Sequence, residues 1–281
     1  MYFLDNGSGV STMPPIGTVS STTPLWFTES PPSYPGADWF NIVQMELLNV
    51  LKSCGIEPDK TKLNQLAEAF SAQGQNFVSF TSAGVYEFVV PAVLKAGRKC
   101  WVQVIGGGAS GAVGSNYIGG TGGSSGGTAY KLVDLTDVDT VTITVGAGGE
   151  SVTTINSAGN SGGSSSFGGY FSATGAPVTN VSSSQPGGEG IYGDINLAGF
   201  PGALAAVLAI SGTNITSCGG NGGGAGGGAG KINTTQWNLD AENGRHGKSP
   251  GAGGAGLVTY SGSPTTYKSG KGADGAVYIY W

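Results

Sequence analysis

Side chains able to do bond chemistry are few in this chain, and none stand at a spacing that chemistry uses. His246 is the single histidine. No nucleophile and orienting carboxylate accompany it in sequence, whereas a catalytic triad needs all three groups and a zinc site three or four ligands. Cys54, Cys100 and Cys218 are too scattered for a disulfide framework or a zinc ribbon and read as reduced thiols. Glu189, Asp194, Asp240 and Glu242 fall in glycine-rich loops. Glycan cleavage needs two carboxylates held at a set separation. No spacing selects a pair, so these read as solvated loop carboxylates. Gly247-Lys248-Ser249 imitates the end of a phosphate loop, but Glu242 stands where the first glycine belongs and Pro250 blocks the following helix. Gly106-x-Gly108-x-x-Gly111 follows a strand pattern, as a dinucleotide fingerprint must. The residues after it, AVGSNYIGGTGGSSGG, cannot open the required helix. No catalytic residue, metal or cofactor is expected.

The elements that would have to position any functional group are written in glycine. The run at 218–230 reads CGGNGGGAGGGAG, and related runs occupy 106–111, 119–127, 146–149 and 251–256. Glycine packs no side chain and loses more backbone freedom on ordering than any other residue. Such runs are therefore disordered or held by their backbone groups. Polyproline II geometry offers the second option: three residues per turn, no internal hydrogen bonds and every N–H and C=O pointing outward. A face carrying only glycine lets a second such helix approach and take those groups. Collagen is excluded, because the period slips constantly and proline is sparse in this region.

Only eight of the 54 glycines precede position 106, so the bias is regional. Charged residues make up 10% of the 281 positions, against about 25% in ordinary domains. The formal net charge of −5 shows no basic footprint, and no nucleic-acid partner is expected. The first ten residues carry neither a basic nor an apolar leader segment. The longest apolar run, ALAAVLAI at 203–210, is far shorter than the ~20 residues of a membrane-spanning helix.

Residues 1–35 read as an extended attachment arm, broken by Pro14, Pro15, Pro24, Pro31, Pro32 and Pro35 and carrying the aromatics Phe3, Trp26, Phe27 and Tyr34. Residues 36–75 read as a short helical segment. Phe40, Val43, Leu47, Val50 and Leu51 recur at helical spacing over 37–54, and Gly55 and Pro58 end the helix. A second helix is predicted over 61–73. Two helices this short bury little of their own, so a contact with further copies is expected. From Phe77 the period becomes two. Strands are predicted as a hairpin-like pair over 77–91, then over 99–105, 128–135, 140–146, a pair over 164–175, and the closing GAVYIYW. Short strands separated by turn signals indicate a sandwich or barrel.

These stretches carry a resemblance. The pattern MYFLDNGSGV…PLWFTES…YPGADWFNIVQMELLNVLKSCGIEPDKTKLNQLAEAF resembles the start of bacteriophage and prophage tail-fibre proteins. FTSAGVYEFVVP, WVQVIGGGASG, TVTITVGAGG, GGSSSFGGYFSATG and GADGAVYIYW resemble the glycine-rich domain of phage fibre tips. The resemblance implies a mostly β fold: an extended arm and short helices, then a β-sandwich over 76–281 carrying packed polyglycine II helices. It implies a homotrimer that binds a bacterial surface receptor, either lipopolysaccharide or an outer-membrane protein, and that joins other tail proteins through the arm. The location implied is the virion tail tip, after assembly in the host cytoplasm. Residues 176–217, poor in glycine repeats, depart from the simplest pattern. The readings kept open beside an adhesin are a tailspike-like enzyme cleaving surface polysaccharide and a purely structural glycine-rich bundle.

On a scaffold with no side-chain mobility, the loops are free to vary and carry the recognition. Their large or charged residues are the receptor-binding candidates: Asn116, Tyr117, Tyr192, Phe200, Trp237, Arg245, His246, Tyr260, Tyr267 and Lys268. Tyr and Trp supply rigid contact area at low entropy cost.

Overall fold

The computed structural model describes residues 3–4, 9–18, 23, 26–72, 76–114, 119–211, 214–230, 232–233, 243–258 and 267–281. The chain divides into two compact units, Met1–Gln75 with Pro91–Arg98, and Asn76–Val90 with Lys99–Trp281.

Among its described residues the first unit holds three helices, α1 (Ala37–Ser53), α2 (Gln65–Ala72) and the single-turn α3 (Ala92–Lys95). Helix α1 stops as the sequence requires. Gly55 has φ +66°, its N–H donates to the Lys52 carbonyl, and the Ile56 N–H donates to that of Leu51, both at 3.0 Å. This is the Schellman arrangement, which wants glycine at its left-handed position. Helix α2 starts later than the predicted 61, because Asp59 turns the chain back first: its carboxylate accepts the Thr61 N–H at 2.8 Å and the Thr61 hydroxyl at 2.7 Å. Leu51, Cys54 and Ala69 form a small buried cluster flanked by Val50, Ile56, Leu66 and Ala72. Of the rest of the α1 stripe, Phe40 is exposed and Val43, Leu47 and Val50 are half-buried, while Trp39, Ile42 and Met45 beside it are exposed. The Arg98 guanidinium donates to the Ala72 carbonyl at 3.4 Å, tying the α3 segment to the end of α2.

The second unit is built of strands β1 (Phe77–Phe80), β2 (Gly84–Val89), β3 (Cys100–Ile105), β4 (Thr128–Val133), β5 (Thr140–Val145), β6 (Ser165–Phe167), β7 (Phe171–Ala173), β8 (Gly190–Ile191), β9 (Ile195–Leu197), β10 (Ala206–Ser211), β11 (Asn214–Cys218), β12 (Ile232–Asn233) and β13 (Ala276–Tyr280). Two five-stranded sheets have the orders β1-β13-β3-β4-β9 and β2-β5-β6-β7-β8, and a third has β10-β11-β12; their pairings are antiparallel. The chain is therefore mostly β, as expected. Period-two alternation buries Cys100, Val102 and Val104 of β3 with Val277 and Ile279 of β13, and these strands contact β6 and β7 of the second sheet. Phe88, Ile143, Phe167 and Phe171 are the largest of the buried residues on the second sheet's side.

One predicted pairing is corrected. β1 and β2 are consecutive yet do not form a hairpin; β1 pairs with β13, and β2 with β5. The turn between them carries the chain from one sheet to the other. Its Ala83 N–H is held by the Asp274 carboxylate at 3.1 Å.

Between the strand ends the glycine runs form a lattice of backbone hydrogen bonds with a period of three. The N–H groups of Gly106, Ala109 and Ala112 donate to the carbonyls of Gly127, Ser124 and Thr121, at 2.9 to 3.0 Å. Those of Gly107, Ser110 and Val113 donate to Gly163, Asn160 and Ser157, again at 2.9 to 3.0 Å. Those of Gly108 and Gly111 donate to Ala273 and Gly270 at 2.9 Å. One segment thus addresses three neighbours in rotation, all running antiparallel to it. Segment 119–127 repeats the pattern: Gly120, Gly123 and Gly126 donate to Leu257, Gly254 and Gly251, while Gly122 and Ser125 donate to Ala203 and Phe200. Glycine is required here by close approach. A Cβ at Gly111 would run into the Ala255 carbonyl, and one at Gly123 into that of Ala109.

The centre of the lattice is not the run at 218–230. Segments 106–114, 119–127 and 251–257 are its buried part. Residues 219–230 make two passes joined by a turn at Gly224 and Gly226, both at positive φ, with Asn221, Ala225, Gly226 and Ala229 exposed. The stretch 176–217 enters the lattice as well, through bonds at Ala176, Gly188, Gly199 and Ala203, and it supplies β8 to β11.

Candidate binding surface

The sequence-derived candidates fall into three groups. Asn116, Tyr117, Trp237 and Tyr260 lie outside the described residues. Arg245, His246, Tyr267 and Lys268 are brought together on two adjacent segments. Gly244 and Gly247 donate to the carbonyls of Lys268 and Lys271 at 2.7 and 2.9 Å. In return the N–H of Lys268 donates to Asn243 Oδ1, and that of Lys271 to His246 Nδ1, at 2.9 and 2.8 Å. The same three-residue step that ties backbones inside the lattice here uses two side chains as acceptors. His246 consequently holds its neighbour's backbone in place, although the residue is exposed. Arg245 and Lys268 are exposed and Tyr267 is half-buried, so this ridge presents cations. Lys271 pairs with Glu150 at 2.7 Å, and that hydrogen bond raises the ammonium's pKa.

Tyr192 and Phe200 make the third group, and their settings differ. Tyr192 is 80% exposed and has φ +60°, a conformation that bulky residues avoid. Its turn, between β8 and β9, is held from several sides. The Asp194 N–H donates to the Tyr130 carbonyl at 2.8 Å, and the Asp194 carboxylate accepts the Leu132 N–H at 2.9 Å. Lys131 Nζ donates to the Tyr192 carbonyl at 2.9 Å, and the Asn196 amide closes the loop on Gly193. A strained, exposed aromatic held this firmly is displayed in advance of any contact. The Phe200 ring is exposed while its N–H donates to Ser125 Oγ at 2.7 Å. It forms one wall of a cleft of about 340 Å³ whose other walls include Ile105, Thr128, Leu197, Ala225 and Pro250.

Sequence reasoning missed two features. Asp274 bridges the β1–β2 turn and the lattice, because its other oxygen accepts the Gly148 N–H at 2.9 Å. A lone aspartate in GADG gives no sign of that. The second is the open face of the first sheet. Register places Phe77, Tyr280, Trp101 and Leu132 in one row across four strands, and Tyr278, Gln103, Tyr130 and Ile195 in the next. The alternation of Trp101, Gln103 and Ile105 against buried neighbours was the available signal for part of it. Burial pushes the Cys100 thiol beneath this face up to about 11, and burial likewise raises the Tyr278 phenol.

Comparison with known proteins bears on what carries these surfaces. Over 76 residues the chain is 53% identical to tail fiber protein S of Escherichia phage Mu, which covers 26% of this chain and 15% of that protein. Over 73 residues it is 56% identical to the Mu-like prophage FluMu defective tail fiber protein of Haemophilus influenzae, covering 25% of this chain and 12% of that protein. The chain thus spans less than a sixth of the length of these tail-fibre relatives. Residues 81–281, which contain the lattice, most of the sheets and every binding candidate, match the model of a glycine-rich domain, and through them the chain belongs to the glycine-rich domain family.

Proposed function

We propose that this protein is a receptor-binding tail-fibre component, an adhesin that recognises a bacterial surface during host attachment. The observation that carries the reading is the rotation of hydrogen bonds along 106–114 through three neighbouring segments. We assign that lattice to polyglycine II helices packed beside a β-sandwich. Such a layer satisfies its backbone groups internally and has few side chains to rearrange, so it is a rigid mount for loops of any sequence. On this mount Tyr192, Phe200 and the Arg245–Lys268 ridge are presented outward; Asn116, Tyr117, Trp237 and Tyr260 remain candidates from the sequence alone.

The proposed organisation has residues 1–35 as an arm joining other tail proteins, 36–75 as a helical segment and 76–281 as the reader at the tail tip. The exposed Trp39, Phe40, Ile42 and Met45 on α1 support association into a homotrimer. The relatives' names, tail-fibre proteins of a phage and a prophage, favour a binding role without catalysis. The test is adsorption of the purified chain to bacteria lacking either their lipopolysaccharide outer sugars or individual outer-membrane proteins. Loss of binding to one mutant class identifies the receptor. Equal binding to all of them, and to cells of unrelated species, overturns the adhesin reading.

A further inference from the structure

We propose that the open face of the first five-stranded sheet is a platform for a neutral polysaccharide chain laid across the row Phe77–Tyr280–Trp101. This goes beyond the loop-borne recognition above and uses none of its residues. The three rings occupy matched register positions on β1, β13 and β3. They are 53%, 37% and 47% exposed, while Val102, Val104, Val277 and Ile279 on the opposite face are fully buried. These rings lie outside the core, and the packing they make is with one another across the strands, which leaves much of their surface open. The Phe77 ring lies 5.0 Å from that of Tyr280 and 6.0 Å from that of Tyr278, nearly parallel to the latter.

Four properties select the occupant. Neighbouring strands stand about 4.8 Å apart, so rings on successive strands repeat at close to the length of one pyranose unit. The aliphatic C–H face of a sugar stacks on such rings. Hydroxyl partners stand in the adjoining row, where Gln103 Nε2 donates to the Tyr130 hydroxyl at 2.8 Å beside the Tyr278 phenol. Neither row contains a charged side chain, and the charges at the β4 edge, Lys131 and Asp194, answer each other at 3.6 Å. The nearest charges along the strands, the exposed Lys99 two residues before Trp101 and Asp134 two after Leu132, are of opposite sign and interact with each other; the rows themselves offer a charged polymer no counter-charge, and a neutral one leaves none desolvated. Finally, the open ring surface of the row is on the order of 300 Å². It suits a few sugar units.

The test is native electrophoresis of the full chain in gels containing dextran, amylose or galactomannan, with alginate as an anionic comparison. The expected result is retardation by at least one neutral polymer, unchanged in 0.5 M NaCl (about 4 Å screening length), and weakened at least tenfold by Trp101→Ala. Trp101→Phe restores most of it. Tyr280→Ala and Phe77→Ala repeat the measurement should Trp101→Ala melt early. Retardation by none of the three neutral polymers overturns the proposal, as does an unchanged response of all three alanine variants. Retardation by alginate alone, abolished by salt, also overturns it. So does an oligomer that Trp101→Ala dissociates in sedimentation, which would make this face a contact between copies. Cell adsorption by loop variants is read separately, so the two readings fail independently.

Discussion

Asp274 accepts the Gly148 backbone N–H through Oδ1 at 2.9 Å, and its Oδ2 takes that of Ala83 at 3.1 Å. One carboxylate therefore fixes the glycine lattice to the turn at which the chain passes between the two sheets. Asp274→Ala strands both donors, of which Gly148 is buried. The expected loss is about 2–3 kcal/mol, read by urea unfolding. Asp274→Asn keeps one acceptor oxygen and loses about half as much. Equal stability of both variants and the parent refutes the assignment.

The lattice makes a sharp distinction among glycines. A Cβ at Gly111 meets the Ala255 carbonyl and one at Gly223 meets that of Phe200, whereas Gly169, in the β6–β7 turn, has nothing within 4 Å. Gly111→Ala and Gly223→Val are expected to abolish soluble protein. Each pushes two segments apart and leaves donors unpaired at about 1–3 kcal/mol each. Gly169→Ala is expected within about 0.5 kcal/mol of the parent. Comparable expression and melting of all three would mean the runs are linkers.

Binding and folding should separate at Tyr192 and converge at His246. Tyr192→Ala removes an exposed anchor of the kind that dominates interface energy, so cell binding is expected to fall by about 2 kcal/mol or more with melting nearly unchanged. Trp237→Ala serves as the matching test of a residue outside the described region. Arg245→Ala is expected to weaken binding at low salt only, since surface charge is screened within about 8–10 Å at physiological ionic strength. His246→Ala strands the Lys271 N–H and lowers the melting temperature as well.

Two pKa shifts give a pH dependence at the alkaline end. Burial raises Cys100 to about 11 from 9.0. A raised thiol favours the neutral form in the folded state, so its contribution is complete below pH 9 and is lost as pH rises towards 11. Lys271, raised by its hydrogen bond to Glu150, has the same sign: the pair contributes below the ordinary lysine range and fades above it. At the surface that pair is worth less than about 1 kcal/mol. Stability is therefore expected to drop between pH 9 and 11, and Cys100→Ala should remove part of the drop. At pH 8 the Cys100 thiol should resist alkylation until urea unfolds the chain.

The exposed apolar residues of α1, Trp39, Phe40, Ile42 and Met45, predict self-association. Sedimentation equilibrium is expected to return three times the 27.9 kDa chain mass, and Phe40→Glu to shift it towards monomer. A stable parent monomer at micromolar concentration refutes the trimer.

Local chemistry wrote some elements legibly. Gly55 ends α1 because only glycine sits easily at φ +66°. The alternation in CWVQVI placed β3 with Cys100, Val102 and Val104 inward, and Gly168-Gly169 marked the β6–β7 turn. These are decided within a few residues of chain, by periodicity or by a backbone angle. The partners of the glycine segments are decided otherwise. Gly106, Gly107 and Gly108 are identical in type, yet their N–H groups go to Gly127, Gly163 and Ala273. With no side chain to discriminate among neighbours, a glycine segment is positioned by the strand it continues, as β3 leads into Gly106 and Gly275 leads into β13. For that reason the centre of the lattice falls at 106–114, 119–127 and 251–257, between strand ends, and not at the longest glycine run. The same holds for the split of β1 from β2 and for the row Phe77–Tyr280–Trp101: each joins residues far apart in the chain, and only the register of the assembled sheet brings them together.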